Sequence, residues 1–341
     1  VPVSLVTRTP AIRPDALVAS LVPPPRFDGV RFATYLPDPG QPSQAAAVAA
    51  LAAFAAGLPA PPRRSFLRRP PTPKAKPGVY LDGGYGVGKT HLLASLWHAA
   101  PAPKAYCTFA ELTNLTGALG FAPTVTALSG HRLLAIDEFE LDDVGDTVLI
   151  STLLRRLADN GVRLAATSNT LPGRLGQGRF AAQDFLREIQ GLAAHFVVVG
   201  VEGEDYRHRG LPPAPPPVSE QVLEARVAAT EGAAYDDFGA LCAHLASLHP
   251  VRYGDLLDGV PLVAWRDVRP VDDQATALRL VVLADRLYDR DVPVLASGVP
   301  FDRLFPEELL RGGYRKKYLR AVSRLVALTR EGEGIVAPGE G

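Results

Sequence analysis

From Val79 onward five short apolar runs, "VYLD", "KAYCTF", "RLLAIDEF", "VRLAATSN" and "HFVVVGV", alternate with stretches of helical periodicity such as "THLLASLWHAA". Runs that are apolar at nearly every position fit strands buried on both faces, so the pattern predicts a parallel sheet between two layers of helices, a three-layer α/β fold. Ligands of such sheets gather at the carboxyl ends of the strands. The polar residues that close these runs are therefore where chemistry is expected. Upstream, Gln44 to Gly57 is rich in alanine and predicts a helix ending at Gly57, and the Pro/Arg-dense residues 58–77 read as an exposed connector. Downstream, a proline cluster at 211–217 reads as a stiff linker. Beyond it, "DFGALCAHLASL", "ALRLVVLADRLYDR" and "YRKKYLRAVSRLVALTR" have helical spacing around two apolar pieces, "GVPLVAW" and "VPVLAS". They predict a smaller, mainly helical domain with two strands.

Composition narrows the function classes. Charges balance, with 36 basic and 36 acidic residues in 341, so no global field draws the chain to nucleic acid or anionic lipid. Two distant cysteines, Cys107 and Cys242, fit a reducing compartment, and the cytoplasm is the expected location. No apolar run reaches the ~18 residues of a membrane span. The seven histidines are scattered without metal-ligand spacing.

Three strand ends carry candidate chemistry. After the first, "GGYGVGKT" matches G-x-x-x-x-G-K-[ST] as Gly83, Gly88, Lys89 and Thr90, between a predicted strand and a predicted helix. Glycines let the backbone wrap close to phosphates with its N–H groups inward, Lys89 neutralises the β/γ oxygens and Thr90 binds Mg²⁺. Gly83, Gly84, Tyr85, Gly86, Val87, Gly88, Lys89, Thr90 and His91 are thus assigned to ATP. After the second, Asp137 is the expected metal partner and Glu138 the group that polarises water, which marks a hydrolase rather than a kinase. After the third come Thr167, Ser168 and Asn169, with Asn169 the best placed to bond the γ-phosphate or the water. Tyr35 and Gln44, ahead of the loop, are candidate adenine contacts.

In this order and spacing, "GGYGVGKTHLL", "LLAIDEF", "AATSN" and "DYR" (Asp205, Tyr206, Arg207), followed by "LADRLYDRDVPVLAS" and "YLRAVSRL", resemble the ZapE family of AAA+ ATPases and its mitochondrial Lace-type relatives. The likeness covers about residues 30–328. It implies a P-loop NTPase (AAA+) domain with a helical lid, ATP and Mg²⁺ as cofactors, Asn169 as the first sensor, a homo-oligomeric ring and a protein partner such as the division-ring protein FtsZ. It also implies an arginine supplied from a neighbouring subunit, for which Arg179 is the first choice and Arg187 the second. Arg324, in the "SRL" position one turn after Arg320, corresponds to a second sensor. The expected plan is an N-terminal extension over 1–25, the nucleotide domain over 26–208, a linker over 209–218, the lid over 219–330 and a disordered tail over 331–341. A replication loader of the DnaA or DnaC type would need a basic DNA-binding surface, against which the charge balance argues. A nucleotide-gated scaffold is the other alternative.

Overall fold

The structure, a computed structural model, describes residues 2–11, 13–58, 76–84, 86–139, 144–170, 190–191, 193–203 and 214–334. The five apolar runs form strands β1 (Gly78–Asp82), β2 (Lys104–Thr108), β3 (Leu133–Asp137), β4 (Arg163–Ser168) and β5 (Phe196–Gly200). All pair in parallel, in the order β2-β3-β4-β1-β5. Asp82 of β1 lies opposite Ser168 of β4, and Ile136 of β3 opposite Ala166, so β1, β4 and β3 end side by side. Alternate residues Val79, Leu81, Leu133, Ala135 and Ala165 pack with Leu92, Leu93 and Leu96 of the helix Lys89–Ala99, as the period of two along a strand requires.

Local signals set several boundaries. The alanine-rich helix spans Pro42–Ala56, two residues ahead of its expected start because Pro42 occupies the first turn, where its missing N–H costs nothing. The helix Phe109–Leu119 begins with a reciprocal cap: the Glu111 amide donates to Thr108 Oγ1 at 3.2 Å and the Thr108 amide to Glu111 Oε2 at 2.6 Å. The connector expected over 58–77 falls largely outside the described residues.

The chain divides into two compact units, Arg13–Pro23 with Phe27–Arg209, and Val1–Ile12 with Pro24–Arg26 and Gly210–Gly341. The second unit holds a parallel sheet of β6 (Ala234–Asp237), β7 (Val263–Val268) and β8 (Val294–Gly298), in that order. β6 is a third strand beyond the two that the apolar pieces predict. Its sequence, "AYDD", is short and half acidic, and so gives no strand signal.

Asp236 shows why that strand is acidic. Its buried carboxylate accepts from Ser4 Oγ at 2.5 Å and from the amides of Leu5 at 2.9 Å and Val6 at 3.4 Å. Val3 pairs in parallel with Ala234, and Leu5 is fully buried in this unit's core. Arg8 donates to the carbonyls of Leu256 and Asp258 at 2.7 and 2.8 Å. The first residues, expected as an extension, are therefore an edge of the C-terminal unit's sheet. In the larger unit the Tyr106 amide of edge strand β2 donates to Leu21 O at 2.8 Å, so the N-terminal segment covers an exposed edge in each unit. At the far end the last helix, Arg315–Gly334, continues past 330; the remainder of the expected tail lies outside the described residues. Among the described residues no helix is long and apolar enough to cross a membrane.

The burial of Leu5 yields a prediction. Leu5→Ala should destabilise the C-terminal unit by about 2–5 kcal/mol. The two tryptophans separate the units, since Trp265 lies in this core and Trp97 in the other unit. In a Trp97→Phe background, Trp265 fluorescence should report an unfolding midpoint several degrees lower for the Leu5→Ala variant. An unchanged midpoint would make residues 2–8 a dispensable extension after all.

Candidate active site

The glycine loop joins β1 to the helix Lys89–Ala99, and its glycines answer to steric demands. A Cβ on Gly83 would lie 2.1 Å from the backbone oxygen of Val201, and Gly88 has φ +85° with Tyr35 packed against it. Neither position accepts a side chain without moving the backbone or the aromatic ring. Lys89 is buried at the first helical position. Its ammonium donates to Gly83 O at 2.7 Å, to Gly84 O and to Asn169 Oδ1 at 2.8 Å. The sequence-predicted lysine and asparagine, 80 residues apart, thus meet because β4 lies directly beside β1.

The acidic strand end closes the other side. Asp137 is buried, and its Oδ1 accepts from Thr167 Oγ1, from the Glu138 amide at 3.1 Å and from Thr90 Oγ1 at 3.3 Å. Its Oδ2 accepts from Tyr106 Oη at 2.9 Å. Thr90 and Asp137, hard oxygen donors within 3.3 Å, fit Mg²⁺, which takes one or two protein oxygens and completes its shell with phosphate and water. The described residues contain no cluster of three or more His, Cys, Asp or Glu able to hold a metal alone.

Glu138 has φ +51°, a left-handed conformation costing a non-glycine residue about 1–2 kcal/mol. Three contacts hold it there. Its amide reaches Asp137 Oδ1 and Thr167 Oγ1, both at 3.1 Å, and the next amide, of Phe139, donates to Thr167 O at 2.7 Å. The Phe139 ring is buried edge-on against Tyr80 and Phe109. Strain held by surrounding packing at a polar strand end is characteristic of functional positions. Of the other polar residues there, Thr167 serves Asp137 and Ser168 accepts from the Thr170 amide, so Asn169 is the one that reaches Lys89.

The two candidate adenine contacts flank the loop. Tyr35 Oη donates to Val87 O at 2.8 Å, and burial pushes its phenol pKa up. Gln44 accepts from the Asp38 amide and donates to Glu202 O, each at 2.8 Å, which ties the segment before the loop to the segment after β5. His91 lies within 3.0 Å of Thr34 Oγ1.

The arginines divide differently. Arg179, Arg187, Asp205, Tyr206, Arg207 and Tyr85 lie outside the described residues. Arg324 belongs to the C-terminal unit, where it and Arg320 grip the two oxygens of Asp285 from one helix face, Arg320 at 2.8 Å. The Arg324 guanidinium also lies 5.0 Å from the Tyr288 ring centroid, which Arg26 approaches at 3.7 Å. With Arg311 paired to Glu307 at the surface, three of the four arginines between residues 311 and 324 form ion pairs within the protein. Tyr106 is the site residue that sequence reasoning passed over. It sits inside an apolar strand with no signal that its hydroxyl faces a carboxylate from another strand.

The description of the AFG1-like ATPases matches residues 12–228 and 217–333, nearly the whole chain. The chain belongs to the AFG1-like ATPase family. It is an α/β P-loop NTPase of the AAA+ kind, a nucleotide-binding fold. Among relatives of this AFG1-like chain, the cell division protein ZapE of Escherichia coli (strain K12) is 30% identical over 150 residues, 39% of each chain. The uncharacterized protein C115.02c of Schizosaccharomyces pombe is 27% identical over 161 residues, 40% of this chain and 34% of that one. Both matches span well under half of the relatives' own lengths. Among solved structures, the replication initiator DnaA bound to AMPPCP and single-stranded DNA is 12% identical with a TM-score of 0.39, covering 91% of this chain and 93% of that one.

Proposed function

We propose that this AFG1-like protein hydrolyses ATP to ADP and phosphate, and that it works as a homo-oligomeric AAA+ machine remodelling a protein partner. The observation that carries the hydrolytic reading is the meeting of Lys89, Thr90, Asp137, Glu138 and Asn169 at three adjacent strand ends. In this reading the loop amides and Lys89 bind the phosphates, while Thr90 and Asp137 hold Mg²⁺. When bound, Mg²⁺ supplies positive charge against the β/γ oxygens. Glu138 accepts the proton of the attacking water, and Asn169, already within reach of Lys89, orients the γ-phosphate or that water. Arg179, or in second place Arg187, is proposed to reach a neighbouring subunit's nucleotide, and Arg324 to respond to nucleotide state. Similarity to ZapE of Escherichia coli supports a cytoplasmic cell-division partner such as FtsZ.

Glu138→Gln is the deciding variant. Glutamine keeps the shape and meets the same backbone strain, so ATP affinity should stay within about threefold while turnover falls by about 10²–10⁴. Phosphate release and equilibrium ATP binding, measured side by side, check both halves. Persisting turnover would assign the water to another residue. The ATP-loaded variant also serves as bait: recovery of FtsZ would support the division role, and recovery of misfolded proteins or DNA in its place would oppose it.

A further inference from the structure

We propose that Tyr106 is a positioning residue for the metal edge of the site, aiming the Asp137 carboxylate through its buried hydroxyl. The inference rests on the reading of Asp137 as metal partner and extends it to a residue on a different strand. Tyr106 stands in the middle of β2 and is almost fully buried in the core of the larger unit. A phenol in such a place must spend its hydroxyl on a partner, because an unpaired buried O–H is costly. The Tyr106 hydroxyl donates to Asp137 Oδ2 at 2.9 Å. The strand order makes this possible: β2 and β3 are neighbours, with Tyr106 opposite Ala135 and Thr108 opposite Asp137.

The two carboxylate oxygens have unequal loads. Oδ1 takes three donors, Thr167 Oγ1, the Glu138 amide and Thr90 Oγ1. Among the described residues, Oδ2 takes Tyr106 alone. A carboxylate offers about four acceptor directions, so the capacity left for a water of the metal shell is on Oδ2. Tyr106 occupies one direction of that oxygen and thereby sets the other. Thr167 and the Glu138 amide keep Oδ1 from rotating into its place. Tyr106 acts through Asp137.

The test uses Mn²⁺ as the probe and the full chain saturated with ADP, with free Mn²⁺ read by electron paramagnetic resonance. Tyr106→Phe keeps the ring and removes the one donor. It should weaken Mn²⁺ binding by about tenfold, while ADP affinity in EDTA stays within about twofold of the parent, which also shows that the site is folded. A residue that merely fills the core would lower the melting temperature and leave Mn²⁺ affinity unchanged, and that result overturns the proposal. Asp137→Asn separates the two layers of the argument. If it weakens Mn²⁺ binding and Tyr106→Phe does not, Tyr106 has no positioning role; if Asp137→Asn itself has no effect, the metal reading of Asp137 fails and this inference with it.

Discussion

Lys89→Ala is expected to weaken ATP binding by at least about 100-fold, equivalent to about 2.7 kcal/mol. The ammonium does two things that no neighbour replaces. It carries the charge of the phosphate loop, and it is hydrogen-bonded to two loop carbonyls and to Asn169. Removing it leaves the oxygens of Gly83 and Gly84 without their cation, so a bound phosphate would meet carbonyl dipoles of its own sign. Lys89→Arg should fail almost as badly, because a planar fork cannot reproduce three contacts converging on one nitrogen in a buried space. Calorimetric titration with ATP in Mg²⁺ checks both variants. Binding within about threefold of the parent would remove the phosphate-binding reading of the loop.

The second large effect falls in the other unit. Asp285→Asn should destabilise the C-terminal unit by about 3–5 kcal/mol, the range for removing one partner of a buried ion pair. The side chains of Asp285, Arg320 and Arg324 are each about one-fifth exposed or less, and an amide in place of the carboxylate leaves two guanidiniums facing each other. Burial alone pushes the Asp285 carboxyl pKa up; Arg320, Arg324 and Arg286 more than offset this and hold it below the ordinary carboxylate value. A depressed folded pKa contributes stability that is fully present above the unfolded value of about 3.9 and is lost as pH falls toward the folded value. Unfolding followed through Trp265 should therefore show a steeper loss below about pH 4 in the parent than in Asp285→Asn. Equal stability of the two proteins at pH 7 would show the cluster to be energetically idle. The same cluster bears on Arg324: Arg324→Ala removes a structural partner, so lost turnover in that variant counts toward a sensor role only where the Trp265 unfolding transition is retained.

The sequence by itself determined the repeating α/β plan and the functional ends of the strands. Apolar runs of four to six residues fit a parallel sheet covered on both faces, with the exception of edge strand β5, where Val197 and Val198 are exposed. Glycine, lysine, acid and asparagine mark the strand ends where phosphate is proposed to bind. "GKT", "IDEF" and "TSN" were each legible because local chain chemistry decides them. What the chain could not show was long-range pairing. Tyr106 meets Asp137, and Lys89 meets Asn169, through a strand order that no single run encodes. Strand β6 is invisible as a strand because its two acidic residues have other partners: Asp236 holds the N-terminal segment and Asp237 caps the helix Phe238–Ser247. Arg324 resembles a free functional arginine until the helix packing brings Asp285 to it across 39 residues. Periodicity and motif chemistry are properties of neighbours in the chain, whereas burial and hydrogen-bond partners are properties of neighbours in space, and only the tertiary structure converts one into the other.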